Sequence, residues 1–184
     1  MAIYLALIRG INVGGHKLVA MADLRGLVDR LGFADARTLL QSGNMVFRGR
    51  ARRSVDLERM LEAEAKKRFG LEADFFVRTA DEWDDVIARN PFPDAATRDP
   101  ARLLVMFLNG PPDARSVKAL QAAIVGPETV RVNGREAYIV YPIGIGRSRL
   151  TGALIEKKLG SRGTGRNWNT VLKLGEAARS LASA

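Results

Sequence analysis

Residues 101–141 read ARLLVMFLNGPPDARSVKALQAAIVGPETVRVNGREAYIVY, and their pattern decides the fold. Leu103 to Leu108 is apolar at every position, as a strand buried on both faces requires. Pro111-Pro112-Asp113 then opens a helix that turns Val117, Leu120 and Ile124 inward. Thr129 to Val132 and Ala137 to Tyr141 flank Asn133-Gly134, the strongest short hairpin signal in the chain. Downstream, Leu150, Leu154, Ile155 and Leu159 mark a helix ending at Gly160, and a weak strand is predicted near Gly163 to Arg166. The order is β-α-β-β-α-β, a split βαβ unit. Asn167 caps a terminal helix that carries Trp168, Val171, Leu172 and Leu181.

Upstream, the same order occurs once already. Ile3 to Arg9 is a nearly unbroken apolar strand, followed by a glycine-rich loop and a helix on Met21, Leu24, Leu27, Val28 and Leu31. Arg37 to Gln41 and Met45 to Arg48 are two short strands around Ser42-Gly43-Asn44. Ser54 is expected to cap a helix with Leu57, Met60, Leu61, Ala65 and Phe69 inward, ending at Gly70, and Ala73 to Arg78 is a fourth strand. Thr79-Ala80-Asp81-Glu82 is a capping box for a linking helix that stops at Asn90-Pro91, with a polar loop to Pro100. The expected fold is therefore α+β, a duplicated pair of βαββαβ (ferredoxin-like) halves. The first half spans 1–78, the linking helix and loop 79–100, and the second half with its C-terminal helix 101–184. No residue-level identity between the halves stands out. The first strand of each half lies centrally and is apolar throughout, so both faces of each sheet need cover, the partner half being one candidate.

The 184 residues contain no cysteine, which excludes a disulfide framework, a thiol nucleophile and a thiolate metal site. With one histidine, His16, a metal site of His or Cys type is excluded by count, and no cofactor is expected. No apolar run approaches a membrane span, and Ile3 to Ile8 is too short for a secretory leader, so the expectation is a soluble, cytoplasmic protein.

The net charge is +9 with a pI near 10.5. Its distribution is uneven. From Leu71 to Asp99 there are eight acids against three arginines. From Arg147 onward Arg147, Arg149, Lys157, Lys158, Arg162, Arg166, Lys173 and Arg179 stand against Glu156 and Glu176. Such a balance suits an anionic partner, and it equally suits a solvated face.

Four stretches are more particular than local structure requires: Arg9-Gly10-Ile11-Asn12-Val13-Gly14-Gly15, Gln41-Ser42-Gly43-Asn44-Met45-Val46-Phe47, Gly144-Ile145-Gly146-Arg147-Ser148-Arg149-Leu150, and Thr164-Gly165-Arg166-Asn167-Trp168-Asn169-Thr170. In this order and spacing they resemble the bacterial domain of unknown function 1697 family. The chain departs at Gly165, where the family pattern has a second threonine, and at Arg149, where lysine is commoner. The resemblance implies a small α+β protein with ferredoxin-like halves. It supplies no reaction and no catalytic set.

The residues themselves suggest where a ligand would sit. Successive backbone N–H groups from Gly10 to Lys17, including Asn12, Gly14 and Gly15, could cradle a phosphate beside Arg9, His16 and Lys17. The spacing matches neither a P-loop nor a dinucleotide fingerprint, and a tight turn needing glycine explains the loop as well. Gln41 is polar at the end of an apolar strand, and its amide is a candidate contact beside an ordinary turn. Arg147 and Ser148 precede a helix whose macrodipole opposes the cation by about a few tenths of a kcal/mol, a conflict that a bound anion or solvent would relieve. Arg166, Asn167, Trp168 and Asn169 combine a cation, two amides and a ring. An N-cap with a core tryptophan accounts for Asn167 and Trp168, while phosphate pairing and base stacking account for the group. The leading reading is a binding module for an anionic ligand: a nucleotide, nucleic acid or other phosphorylated compound. The alternatives are an enzyme acting on a phosphorylated small molecule, with His16 as proton carrier, and a structural or oligomeric role.

Overall fold

The computed structural model describes residues 1–9, 19–40 and 43–184. Asn12, Gly14, Gly15, His16, Lys17 and Gln41 lie outside the described residues. The chain forms two compact units, Met1–Asp85 with Lys173–Ala184, and Val86–Leu172.

The first unit runs β1 (Ala2–Ile8), α1 (Met21–Arg30), β2 (Ala34–Leu39), β3 (Asn44–Gly49), α2 (Ser54–Phe69) and β4 (Phe75–Thr79). Its sheet has the order β2-β3-β1-β4, with every pair antiparallel. Period-2 alternation turns Tyr4, Ala6 and Ile8 of β1 toward the helices, where they pack with Leu24, Leu27 and Val28 of α1 and Leu57, Leu61 and Ala65 of α2. Leu5 and Leu7 project from the opposite face and are also buried, which is why β1 is apolar at every position. Each fully buried Leu, Ile or Phe contributes about 1.5–3 kcal/mol.

Two helices, α3 (Ala80–Ala88) and α4 (Pro93–Arg98), lead to the second sheet. The sequence pattern predicts a loop where α4 forms. Pro93 sits at its start, where a missing N–H costs nothing, and Asp94 and Arg98 complement the helix dipole at either end.

The second unit repeats the plan as β5 (Leu103–Leu108), α5 (Ala114–Ala122), β6 (Thr129–Asn133), β7 (Glu136–Val140), α6 (Gly152–Leu159) and β8 (Gly163–Asn167), followed by α7 (Trp168–Ala182). The order β6-β7-β5-β8 reproduces that of the first sheet. Met106 and Leu108 pack with Leu120, Ile155 and Leu159, while Val105 and Phe107 are buried on the other face. The duplicated ferredoxin-like α+β plan is thus present as two separate sheets, with β1 and β5 central in each. Within the first unit, the end of α7 is tied to the sheet by Arg48 Nη2 donating to the Leu181 carbonyl at 2.8 Å. It is tied to α3 by the 2.8 Å Arg179–Asp84 pair.

The capping box is formed as expected: Glu82 N donates to Thr79 Oγ1 at 3.1 Å, and Thr79 N to Glu82 Oε2 at 2.8 Å. Ser54, however, does not cap α2. Arg53 occupies the cap position, and the Ser54 hydroxyl donates to Glu82 Oε2 at 2.8 Å. Gly70 and Gly160 close α2 and α6 in the same left-handed conformation, φ 58° and 61°, which explains a glycine at each position.

Candidate functional site

The residues singled out by sequence divide between the two units. Arg9 belongs to the first, where its guanidinium lies 3.7 Å from Asp74. Arg147, Ser148, Arg166, Asn167, Trp168 and Asn169 belong to the second.

The β8–α7 junction begins with Arg166 on an edge strand. Its Nη1 donates to Thr164 Oγ1 and to the Gly165 carbonyl, both at 2.8 Å. Burial pushes its pKa down to about 10, so the fold holds a cation where water only partly solvates it. Asn167 caps α7 by accepting from Thr170 N at 3.0 Å. Trp168 is only 5% exposed, and a ring so enclosed works as a core anchor rather than as a platform for a base. Asn169 is exposed.

Ahead of α6, Gly144 (φ 89°) turns the chain into a 3-10 turn at Ile145–Arg147. Arg147 and Arg149 are exposed, together with Ile143 and Ile145. Ser148 is already engaged: its hydroxyl donates to the buried Glu128 and accepts from Leu150 N at 2.9 Å. Tyr141 donates to the Leu150 carbonyl at 3.0 Å and completes this knot. Thr151 then caps α6 through Leu154 N. An anion at this loop would therefore be met by Arg147, Arg149 and the backbone, not by Ser148.

Ion pairs occur in both units, Arg98–Asp94 and Arg102–Asp99 among them in the second. In the first, Arg48 pairs with Asp35 at 2.7 Å, Arg53 with Asp56 at 2.8 Å and Lys66 with Glu72 at 2.8 Å. In the second, Arg147, Arg149, Lys157 and Lys158 make no ion pair among the described residues. Nor do three or more carboxylates or histidines gather there into a group able to hold a metal, among the described residues. A separate open groove of about 450 Å³ lies between α1 and α2 of the first unit, lined by Gly26, Arg30, Lys67 and Arg68 among others, and contains no sequence-predicted residue.

The strand registers reveal an equivalence that the sequence reading missed. Arg78 of β4 pairs with Leu5 of β1, and Arg166 of β8 with Val105 of β5. Each arginine folds back so that Nη1 donates to the carbonyl of the preceding residue, Val77 or Gly165, at 2.8 Å. Each is followed by a helix cap, Thr79 or Asn167. Arg78 is 2% exposed and lies 3.7 Å from Glu58 of α2. Aligning the two halves on these caps, Arg78-Thr79 with Arg166-Asn167, is the signal that would have exposed the equivalence.

In structure the chain is similar to the conserved bacterial protein SP0830 from Streptococcus pneumoniae. The TM-score is 0.75 and the identity 23%, over 95% of this chain and 97% of that one. A likeness at that identity establishes a shared fold. No curated protein matches the chain. The family model described as a protein of unknown function (DUF1697) matches residues 1–138, both strands of the first hairpin and most of the second sheet included, and the chain belongs to that family.

Proposed function

We propose that the chain is a binding module for an anionic ligand, a nucleotide, nucleic acid or other phosphorylated compound, and that the second unit meets it between Gly144 and Thr170. The observation that carries this reading is the set of four cations between Gly144 and Thr170, Arg147, Arg149, Lys157 and Lys158, that make no ion pair among the described residues, in a segment whose one acid is Glu156. Like charges accumulated without partners raise the local potential and attract a counter-charge. The enclosure of Trp168 favours recognition through the anionic groups over recognition by base stacking.

Thermal unfolding at low salt tests the proposal, with inorganic phosphate, mono- and dinucleotides, sugar phosphates and short oligonucleotides as probes. A ligand at a hundred times its dissociation constant adds about 2.7 kcal/mol, which shifts the midpoint of a chain this size by roughly 5–10 °C. Replacing Arg147 and Arg149 with alanine should reduce that shift. The absence of any shift across the panel would leave the charge as a solubility feature and defeat the proposal.

A further inference from the structure

The duplication provides an internal control for the edge of each sheet. β4 is an edge strand, and its outward N–H groups are all met by carboxylates. Phe75 N donates to Glu62 Oε1 at 3.1 Å, Val77 N to Glu58 Oε1 at 2.8 Å and Thr79 N to Glu82 Oε2 at 2.8 Å. β8 is the equivalent edge strand, and Gly163, Gly165 and Asn167 are the residues whose N–H groups face outward. Gly163 N donates to Glu156 Oε1 at 2.8 Å. Glu156 is the only acid of α6. One turn before it stands Gly152, exposed and with open space where a Cβ would be. In the cap of α7, Thr170 occupies the position that Glu82 holds in α3. Gly165 and Asn167 thus lie half-buried at a sheet edge where the matching amides of the first unit bind acids.

We propose that this edge is the acceptor for the ligand's acidic groups, with the N–H groups of Gly165 and Asn167 holding two of them about 7 Å apart, two residues of strand rise. The inference rests on the anion-binding reading and gives it an address. The ligand class is a compound with two or more anionic groups at that spacing, supplied by a bisphosphorylated small molecule or by successive phosphates of a nucleic-acid strand. An added peptide strand fits less well. Ladder pairing would need the Gly165 carbonyl, which already accepts from Arg166. The surroundings favour anions: from 144 to 170 the chain carries Arg147, Arg149, Lys157, Lys158, Arg162 and Arg166 against Glu156 alone.

The test returns the missing acids. Gly152→Glu with Thr170→Glu rebuilds the counterparts of Glu58 and Glu82 within the chain. Ala119→Glu with Ala153→Glu changes net charge equally at exposed helix positions. Binding of fructose 1,6-bisphosphate, inorganic phosphate and a short oligothymidylate is measured by calorimetry for the wild type and both variants. Amide resonances of Gly165 and Asn167 are followed in parallel. A charge-assisted hydrogen bond to an amide is worth about tenfold or more in affinity. The rebuilt variant is therefore expected to bind at least about tenfold more weakly than wild type, and the charge control within about threefold of it. The two amide resonances should move on adding ligand to the wild type, and should already be displaced in the rebuilt variant without it. Response to the bisphosphate identifies a small-molecule source, and response to the oligothymidylate alone identifies nucleic acid. If wild type binds a probe and the rebuilt variant binds it equally, the edge is not the acceptor although anion binding stands. Equal affinity for phosphate and for the two larger probes would overturn the two-group spacing. If wild type binds nothing, the underlying reading itself fails.

Discussion

Removing the Glu58 carboxylate should destabilise the first unit more than any surface ion pair could. Glu58 is 6% exposed and serves two groups: Val77 N–H at 2.8 Å, and the Arg78 guanidinium at 3.7 Å, itself 2% exposed. Glu58→Ala leaves a buried amide without its acceptor, at about 1–3 kcal/mol. It also takes from a buried cation its nearby counter-charge, and breaking such a pair costs about 3–5 kcal/mol. The two losses share one carboxylate and overlap, so the expected total is about 3–5 kcal/mol, a large part of a domain's stability. Urea unfolding reads this directly: with a slope of about 2 kcal/mol per molar, the midpoint falls by roughly 2 M. Glu58→Gln keeps an oxygen for Val77 and should fall between wild type and Glu58→Ala. In an Arg78→Met background, Glu58→Ala should cost about 1–3 kcal/mol less, because no buried guanidinium then loses this carboxylate. A loss under about 1 kcal/mol for Glu58→Ala, or no coupling to Arg78, would refute the view that carboxylates close this edge.

Gly49→Ala should destabilise by about 1–3 kcal/mol in chemical denaturation, since overpacking has nowhere to relax. Its Cβ would overlap Phe33 Cδ1, and that ring is held against Tyr4 and Phe47 at centroid distances of 6.1 and 5.2 Å. A neutral effect would contradict that packing. Tyr141 gives a pH signature: burial first, and the neighbouring Glu128 second, push its phenol up to about 12 from 10.0. The folded state keeps that proton longer than the unfolded chain, so stability is whole below about pH 10 and falls as pH rises toward 12. Tyr141→Phe should flatten this alkaline limb while leaving neutral stability within a hydrogen bond's worth of wild type, and an unchanged limb would overturn the assignment.

The strand order was legible because each strand type has its own sequence pattern. Leu103–Leu108 reads as a central strand from its length and unbroken apolar run, and Thr79 with Glu82 as the start of a helix. What the sequence concealed was tertiary. Ser54 looks like a cap, but its hydroxyl donates to Glu82, which belongs to another element altogether. Pro93–Arg98 looked like loop because prolines and acids mark both loops and first helical turns. At the candidate site, Arg166 and Asn167 were visible as residue types, whereas the amides of Gly165 and Asn167 were not. A backbone group has no letter in the sequence, and only register shows which N–H groups face out. Ser148 and Trp168 are polar or aromatic in a promising stretch, yet the fold commits one to Glu128 and encloses the other.

The same problem is solved differently in the two units. An edge strand must dispose of its outward amides, since unpaired ones invite association with another chain. In the first unit α2 and the capping box do this with Glu58, Glu62 and Glu82, at positions that sit one helical turn apart or close a helix end. Glu58 also sets a counter-charge 3.7 Å from the buried Arg78 guanidinium. The second unit retains the arginine, its bond to the preceding carbonyl, the helix cap and one of the three acids. Two side chains separate the arrangements, the Gly152 and Thr170 positions, and both differences remove negative charge from a segment that is already basic. A change serving only solubility would have no reason to fall on the two residues that reach the strand's amides. Loss of charge at those positions, with the cation and the strand kept, is what opening the edge to an external acid requires.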